Sequence, residues 1–250
     1  MSDRPMHTQK GAFAELTALY ADGERAMSEG RFADAIACFD RGLAIDDHFR
    51  QRYVTMYAQR GFARHRLGDL AGAIADYTAA IAMEPPIHQA QYHFHRALCH
   101  AGLGGHEAQA LADYAASIAL YPDHPGPYHM RGKMLVDLGR WEEAIADFDA
   151  LLARSPHPEG HQLRGYARLN LGQAEAAVPD LLTAAEAAPS AWGSYLLAWA
   201  GAASGDAELF YRGLEEALAA EPAYRSYFLE APDFAPYRGQ RRFLDAVGQA

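Results

Sequence analysis

The sequence predicts an all-α fold, a right-handed superhelical solenoid of about six helical hairpins with a C-terminal helical cap. Three observations carry that prediction. A run that opens on arginine recurs four times, as RGFARHRLGDLAGAIADY from Arg60, RALCHAGLGGHEAQALADY from Arg96, RGKMLVDLGRWEEAIADF from Arg131 and RGYARLNLGQAEAAVPDL from Arg164. Each arginine stands eight residues before the glycine of a Leu-Gly pair (Gly68, Gly104, Gly139, Gly172), and successive arginines are 36, 35 and 33 residues apart. No strand-like alternation separates the copies, and a period near 34 without strands marks stacked helix pairs.

Residues 1–12 show no periodicity and are expected to be disordered. Aligned on the residue after each arginine, the chain then divides into units near 16–49, 54–87, 90–124, 125–158, 158–191 and 191–224, a repeat array over 13–224. Each reads as helix, glycine turn, helix. The first helices share a small residue, Gly23, Gly61, Ala97, Gly132, Gly165 or Ala198. Glycine inside a helix costs about 1 kcal/mol relative to alanine, so its recurrence implies close packing. The second helices supply Ala35, Ala73, Ala110, Ala144, Ala177 and Phe210, each followed four residues later by Phe39, Tyr77, Tyr114, Phe148, Leu181 or Leu214. Every unit but the first closes on a proline (Pro85, Pro122, Pro156, Pro189, Pro222), which cannot continue a helix. Pro179 falls inside the second helix of the fifth unit, where it predicts a bend or a late start near Val178. Residues 225–250 leave the repeat. Phe234, Tyr237, Phe243, Leu244 and Val247 form an apolar stripe suited to covering the last hairpin.

These positions resemble the tetratricopeptide repeat family, whose 34-residue units carry small residues at the eighth and twentieth places, an aromatic at the twenty-fourth and a proline at the thirty-second. The resemblance covers residues 16–224. It implies a bacterial-type repeat array that binds other proteins. The family's early tryptophan is replaced by Leu19, Tyr57, His93, Tyr128, His161 and Ser194. The lysines and asparagines with which chaperone-binding members hold a terminal carboxylate are also missing, Glu24 and Phe62 standing where asparagine belongs, so that activity is not carried over.

Each arginine is matched by an aspartate on the second helix: Arg60 with Asp76, Arg96 with Asp113, Arg131 with Asp147 and Arg164 with Asp180. The third-unit pair is one residue wider, and the extra residue falls in the Gly104-Gly105 turn. In the terminal units both partners are absent together. A partly buried arginine requires such a partner, so the sequence predicts an ion pair in each inner repeat, within a hairpin or shared with a neighbour.

With 22 Lys and Arg against 32 Asp and Glu, a net charge of −10 argues against nucleic acid as a partner. No apolar run reaches membrane-spanning length, and no leader precedes the repeats, so a cytoplasmic location without membrane contact is expected. No phosphate-binding loop, zinc-protease motif or Cys-x-x-Cys is present, and the chain is expected to be no enzyme, with no cofactor and no catalytic residue. The histidines of HFHRALCH do not converge, because His93 and His100 share a helix face that His95 does not. His124 with His129, and His157 with His161, flank two hairpin junctions, and no residue is assigned to a metal.

In each first helix the face opposite the small residue forms a stripe. From it the predicted partner-binding groove comprises Tyr20, Phe62, Phe94, His129, Lys133, Gln162, Tyr166, Trp192, Tyr195 and Trp199. The function expected is a non-enzymatic adaptor or scaffold that binds a peptide or helix of a partner protein in its concave groove, and it could also form a homo-oligomer. The alternatives are a histidine-mediated metal or small-ligand binding repeat protein and a self-assembling structural repeat protein.

Overall fold

In the computed structural model the chain is described over residues 6–45, 50–85 and 89–249, with the side chains of 6–10 and 50–52 left aside. The helices are α1 (Met6–Ser28), α2 (Phe32–Leu43), α3 (Arg50–Arg66), α4 (Leu70–Met83), α5 (Ala90–Leu103), α6 (Glu107–Leu120), α7 (Pro125–Asp137), α8 (Trp141–Leu152), α9 (Pro158–Asn170), α10 (Ala174–Ala187), α11 (Ala191–Ser204), α12 (Ala207–Ala220), α13 (Arg225–Glu230) and α14 (Arg241–Ala246). No strand occurs among the described residues. The chain forms two compact units, Met1–Pro127 and Tyr128–Ala250. α1 begins at Met6, inside the segment expected to lack structure, while residues 1–5 lie outside the described residues. So do 46–49 and 86–88, where the first two repeats were expected to end.

The hairpins turn on glycine because the chain must adopt a left-handed conformation there. Gly30, Gly68, Gly139 and Gly172 have φ of 72°, 82°, 69° and 72°, and no non-glycine residue among those described has a positive φ. The turn ends the first helix with a backbone hydrogen bond spanning five residues, Asp69 N–H to Arg64 O at 2.9 Å, Arg140 N–H to Leu135 O at 2.8 Å and Gln173 N–H to Arg168 O at 2.9 Å. In the third hairpin Gly104 and Gly105 both take positive φ, which absorbs the extra residue without disturbing the helices. Side-chain caps start the next helix, as Asp69 accepts from the Gly72 N–H at 2.9 Å and Ser190 from the Gly193 N–H at 3.0 Å.

Inside each hairpin the recurrent alanines and rings are the core. Ala73, Ala110, Ala144 and Ala177 are fully buried, as are Tyr77, Tyr114, Phe148 and Leu181 to within 1%. The shared glycine receives the ring rather than the alanine: a methyl group on Gly132 would lie 2.9 Å from Phe148 Cε1. The glycine thus answers the large residue one turn further along.

Pro179 does not delay its helix. α10 is uninterrupted from Ala174 to Ala187 with Pro179 inside it, against the late start expected near Val178. Pro179 and Glu175 both lie on the exposed face, so the carbonyl deprived of its donor is left to water rather than stranded in the core.

Phe210 stands where the other hairpins have alanine because α11 and α12 meet through different residues. A methyl group on Gly213 would collide with the Ala198 backbone nitrogen, and one on Gly201 with the Phe210 nitrogen. The Phe210 ring turns instead toward the cap, stacking on Tyr237 at 3.8 Å between centroids and packing with Phe234 and Phe243. Phe228, Phe234, Phe243 and Val247 are wholly buried in this cluster. Leu244, expected in the same stripe, is only half buried, and Phe228 takes a core place the stripe did not include.

All four predicted ion pairs form, and they are networks. Arg60 holds Asp76 through Nε at 3.0 Å and Nη2 at 2.5 Å, and Arg64 adds a bond at 2.9 Å. Asp113 accepts from Arg96 Nε and Nη2, both at 2.7 Å, with His93 Nδ1 at 2.8 Å. Asp180 takes Arg164 at 2.8 and 2.6 Å, Arg168 at 2.7 Å and His161 Nδ1 at 2.7 Å. Among the described residues Asp147 has Arg131 alone, at 2.8 and 2.6 Å. Three arginines also reach the preceding hairpin: Arg60 to Asp40 at 2.6 Å, Arg96 to Thr78 at 2.9 Å and Arg164 to Asp149 at 2.5 Å. Within a hairpin and to its neighbour are therefore both correct.

The four carboxylates are buried to 5% exposure or less, and for Asp113, Asp147 and Asp180 the partners decide the direction of titration. Burial pushes the pKa of Asp113, Asp147 and Asp180 upward. At Asp113 the hydrogen bonds from Arg96 and His93 outweigh burial and hold the carboxyl below its usual range, and at Asp180 those from Arg164 and His161 do the same. At Asp147 burial prevails over Arg131 and the pKa is raised. Losing one member of a buried pair costs about 3–5 kcal/mol. Arg131→Leu, which strands Asp147, is expected to cost that much in a urea melt and more than Arg164→Leu, which leaves Asp180 with Arg168 and His161. Adding Asp147→Leu to Arg131→Leu is expected to recover part of the loss; purely additive effects would refute the coupling.

The same shifts fix a pH dependence of stability. A carboxyl whose folded pKa is depressed contributes stability above its unfolded pKa, near 4, that is lost as pH falls through the folded value; one whose folded pKa is raised behaves oppositely. Asp113→Asn is therefore expected to flatten the acid limb of stability against pH, and Asp147→Asn to steepen it, in melts recorded from pH 3 to pH 6. Equal slopes in the two variants would contradict the assignment.

Candidate functional site

In the first unit the predicted stripe gathers around one ring. His95, on α5, stacks on Tyr77 at 5.7 Å, and Phe94 and Phe62 approach the same imidazole at 5.5 and 6.0 Å. Burial, then the charges of His65 and His124, hold the His95 pKa below the usual imidazole value, so the ring is neutral and packs as an aromatic. Phe94 continues the cluster to Tyr114 and His124 at 6.2 and 5.7 Å. Beside it opens a cavity of about 710 Å³, lined by Gln91, Phe94, His95, Leu120, Tyr121 and His124 among others. Tyr121 is 51% exposed at its edge. Tyr20 stands apart from this cavity: its hydroxyl donates to Glu24 Oε1 at 2.6 Å, and its ring lies 6.4 Å from Phe39.

In the second unit Tyr166 is the centre. Trp192 and Trp199 meet it edge-on at 5.6 and 6.2 Å, and Trp141, from α8, at 5.7 Å. Tyr195 has another role. Four rings of the C-terminal segment surround it, Tyr224, Tyr227, Phe228 and Phe234, at 5.4–6.2 Å. Trp199 Nε1 donates to Asp233 Oδ1 at 3.0 Å. The cap thus lies on this end of the stripe, and Tyr195 packs half-buried against its core.

The polar side chains on and beside the stripe are engaged. Lys133 Nζ donates to Glu159 Oε1 at 2.7 Å, and Asn170 bonds back to the Tyr166 carbonyl at 2.9 Å. Gln162 reaches Ser190 Oγ at 3.5 Å. A carboxylate pocket built on Lys133, His129, Gln162, Tyr166 and Asn170 would have to displace Glu159, which already meets the lysine. His129 sits across from that carboxylate, its Nε2 at 3.1 Å from Glu159 Oε2, and its ring centroid is 4.3 Å from that of His157. Burial, then His157, lowers the His129 pKa.

Sequence reasoning placed Phe62 and Phe94 on one stripe but missed His95, His124 and Tyr121 as their companions. No periodicity marks these residues, because they come from a different helix face and from the end of α6. No helix among the described residues is long and apolar enough to cross a membrane.

The comparisons with known proteins agree with the fold. No curated protein matches the sequence. Among solved structures the chain is similar to the C-terminal part of a TPR repeat-containing protein from Cytophaga hutchinsonii, with a TM-score of 0.72 at 16% identity over 92% of this chain and 93% of that one. It is also similar to MamA from Desulfovibrio magneticus RS-1, with a TM-score of 0.62 at 16% identity over 68% and 96% of the two chains. A chain of the APC/C hetero-tetramer Cut9-Hcn1 gives a TM-score of 0.56 at 17% identity over 94% of this chain and 42% of that one. The tetratricopeptide repeat profile matches residues 59–125 and 129–191, more than half the chain and all four arginine-aspartate hairpins, and the protein belongs to the tetratricopeptide repeat family.

Proposed function

We propose that this protein is a non-enzymatic adaptor that holds a peptide or helix of a partner protein against its first helices, with the cavity beside Phe94 receiving an apolar anchor side chain. The observation that carries this reading is that cavity, whose lining combines Phe94, Leu120 and Tyr121 with imidazoles and no carboxylate. An apolar recess with a few polar groups at its rim fits a buried aromatic or aliphatic hot spot. Repeats of this family serve as protein-interaction scaffolds, and Cut9-Hcn1, a structural neighbour, is a hetero-tetramer. Tyr166 with Trp192 forms a second aromatic surface, in the other unit. A cytoplasmic location, with neither nucleic acid nor membrane as partner, accords with the acidic charge.

The test pairs a melt with a binding assay. Phe94→Ala and Trp192→Ala are expected to cost about 1 kcal/mol of stability while losing the wild-type protein's captured partner, as interface rings do. Tyr195→Ala is expected to behave the other way, costing about 3 kcal/mol because it opens the cap cluster. If Phe94→Ala retains every wild-type interaction in a pull-down quantified by mass spectrometry, the cavity is not the anchor site.

A further inference from the structure

We propose that His129, His157 and Glu159 form a binding site for one late first-row divalent metal ion, zinc being its natural occupant. One ligand atom from each of the three lies within 4.8 Å of the others, although the residues come from two helices and a junction. The types fit the ion. Two imidazoles and a carboxylate are the set with which zinc sites holding an open fourth position are built, and nickel and cobalt accept the same donors.

The local geometry supports coordination over simple packing. His129 Nε2 is buried and makes no well-aligned hydrogen bond. It faces Glu159 Oε2 at 3.1 Å, close to the roughly 3.3 Å that separates neighbouring ligands around a tetrahedral ion with bonds of about 2.0–2.1 Å. The other oxygen, Oε1, is held by Lys133 at 2.7 Å. That bond fixes the plane of the carboxylate and turns Oε2 toward His129, as outer-shell partners of metal-binding carboxylates do. His157 is the member that must change. Its Nδ1 now accepts from the Gly160 N–H at 3.1 Å, and it trades this helix cap for the metal. Closing the set from within 4.8 Å to bonding separation falls to that ring, since Glu159, 44% accessible, already presents Oε2 to His129.

The experiment is calorimetric titration of untagged protein with zinc chloride, with cobalt chloride followed in parallel by visible absorption. One equivalent of zinc should bind, raising the melting temperature, and cobalt should give the intense bands of a four-coordinate site. Glu159→Gln and His157→Ser should each weaken binding by at least about tenfold and abolish the thermal shift. Serine at 157 keeps the helix cap, as Ser190 does at the start of α11, so the variant tests the ligand and not the fold. His106→Ala removes a member of another close histidine pair, His100 with His106 at 5.5 Å, and should leave zinc binding unchanged. Less than one equivalent of zinc, unaltered affinity in both ligand variants, or loss of binding in His106→Ala would each overturn the proposal. Should His157→Ser fail to fold, Glu159→Gln at the surface decides the matter alone.

Discussion

The structure rests on a buried aspartate held by an arginine from the other helix of its hairpin. A carboxylate taken out of water needs its lone pairs met and its charge balanced, and the guanidinium fork does both across two parallel bonds. Because the aspartate sits one residue before the core ring on the second helix, binding it fixes the rotation of one helix against the other. Arg60, Arg96 and Arg164 then extend a further nitrogen to Asp40, Thr78 and Asp149 on the preceding hairpin. A single side chain thus sets both the closure of a hairpin and its register against the next. The histidines at 93 and 161, which stand where the family carries tryptophan, join the same carboxylates and replace apolar packing by charge-assisted bonds.

Where the pair is absent, other packing takes its place. In the last hairpin Leu197 and Gly213 stand at the arginine and aspartate positions, and the helices close instead on glycine, near enough that a Cβ on Gly213 would strike backbone. That approach frees Phe210 to face outward as the seat of the cap. A repeat that ends a stack must cover an apolar face that no neighbour will cover. Here Phe234, Tyr237 and Phe243 do so against Phe210, while Tyr224 to Phe228 fold over Tyr195.

That choice shapes the aromatic stripe of the first helices. Aromatic residues on the stripe of the first helices have different fates according to what lies over them: Tyr195 is covered by the cap, Tyr166 is buttressed by tryptophans, and Phe94 borders an open cavity. Lys133 is paired with Glu159, so it is no free cation for an acidic partner.

The fold and its ion pairs were legible in the sequence because repetition shows a constraint several times over. Glycine at each turn, alanine against the core and arginine with aspartate at a fixed interval each follow from local geometry that is the same in every copy. The interval alone said that two charges would meet. What repeats do not share had to wait for the tertiary structure. The uninterrupted helix through Pro179, the rotation of Phe210, the packing of the cap against Tyr195 and the convergence of His129 with His157 and Glu159 each depend on which face of one helix meets which side chain of another. Contacts of this kind, between residues 28 or more positions apart in the case of His129 and His157, carry no periodic signature, because only packing decides which side chains converge.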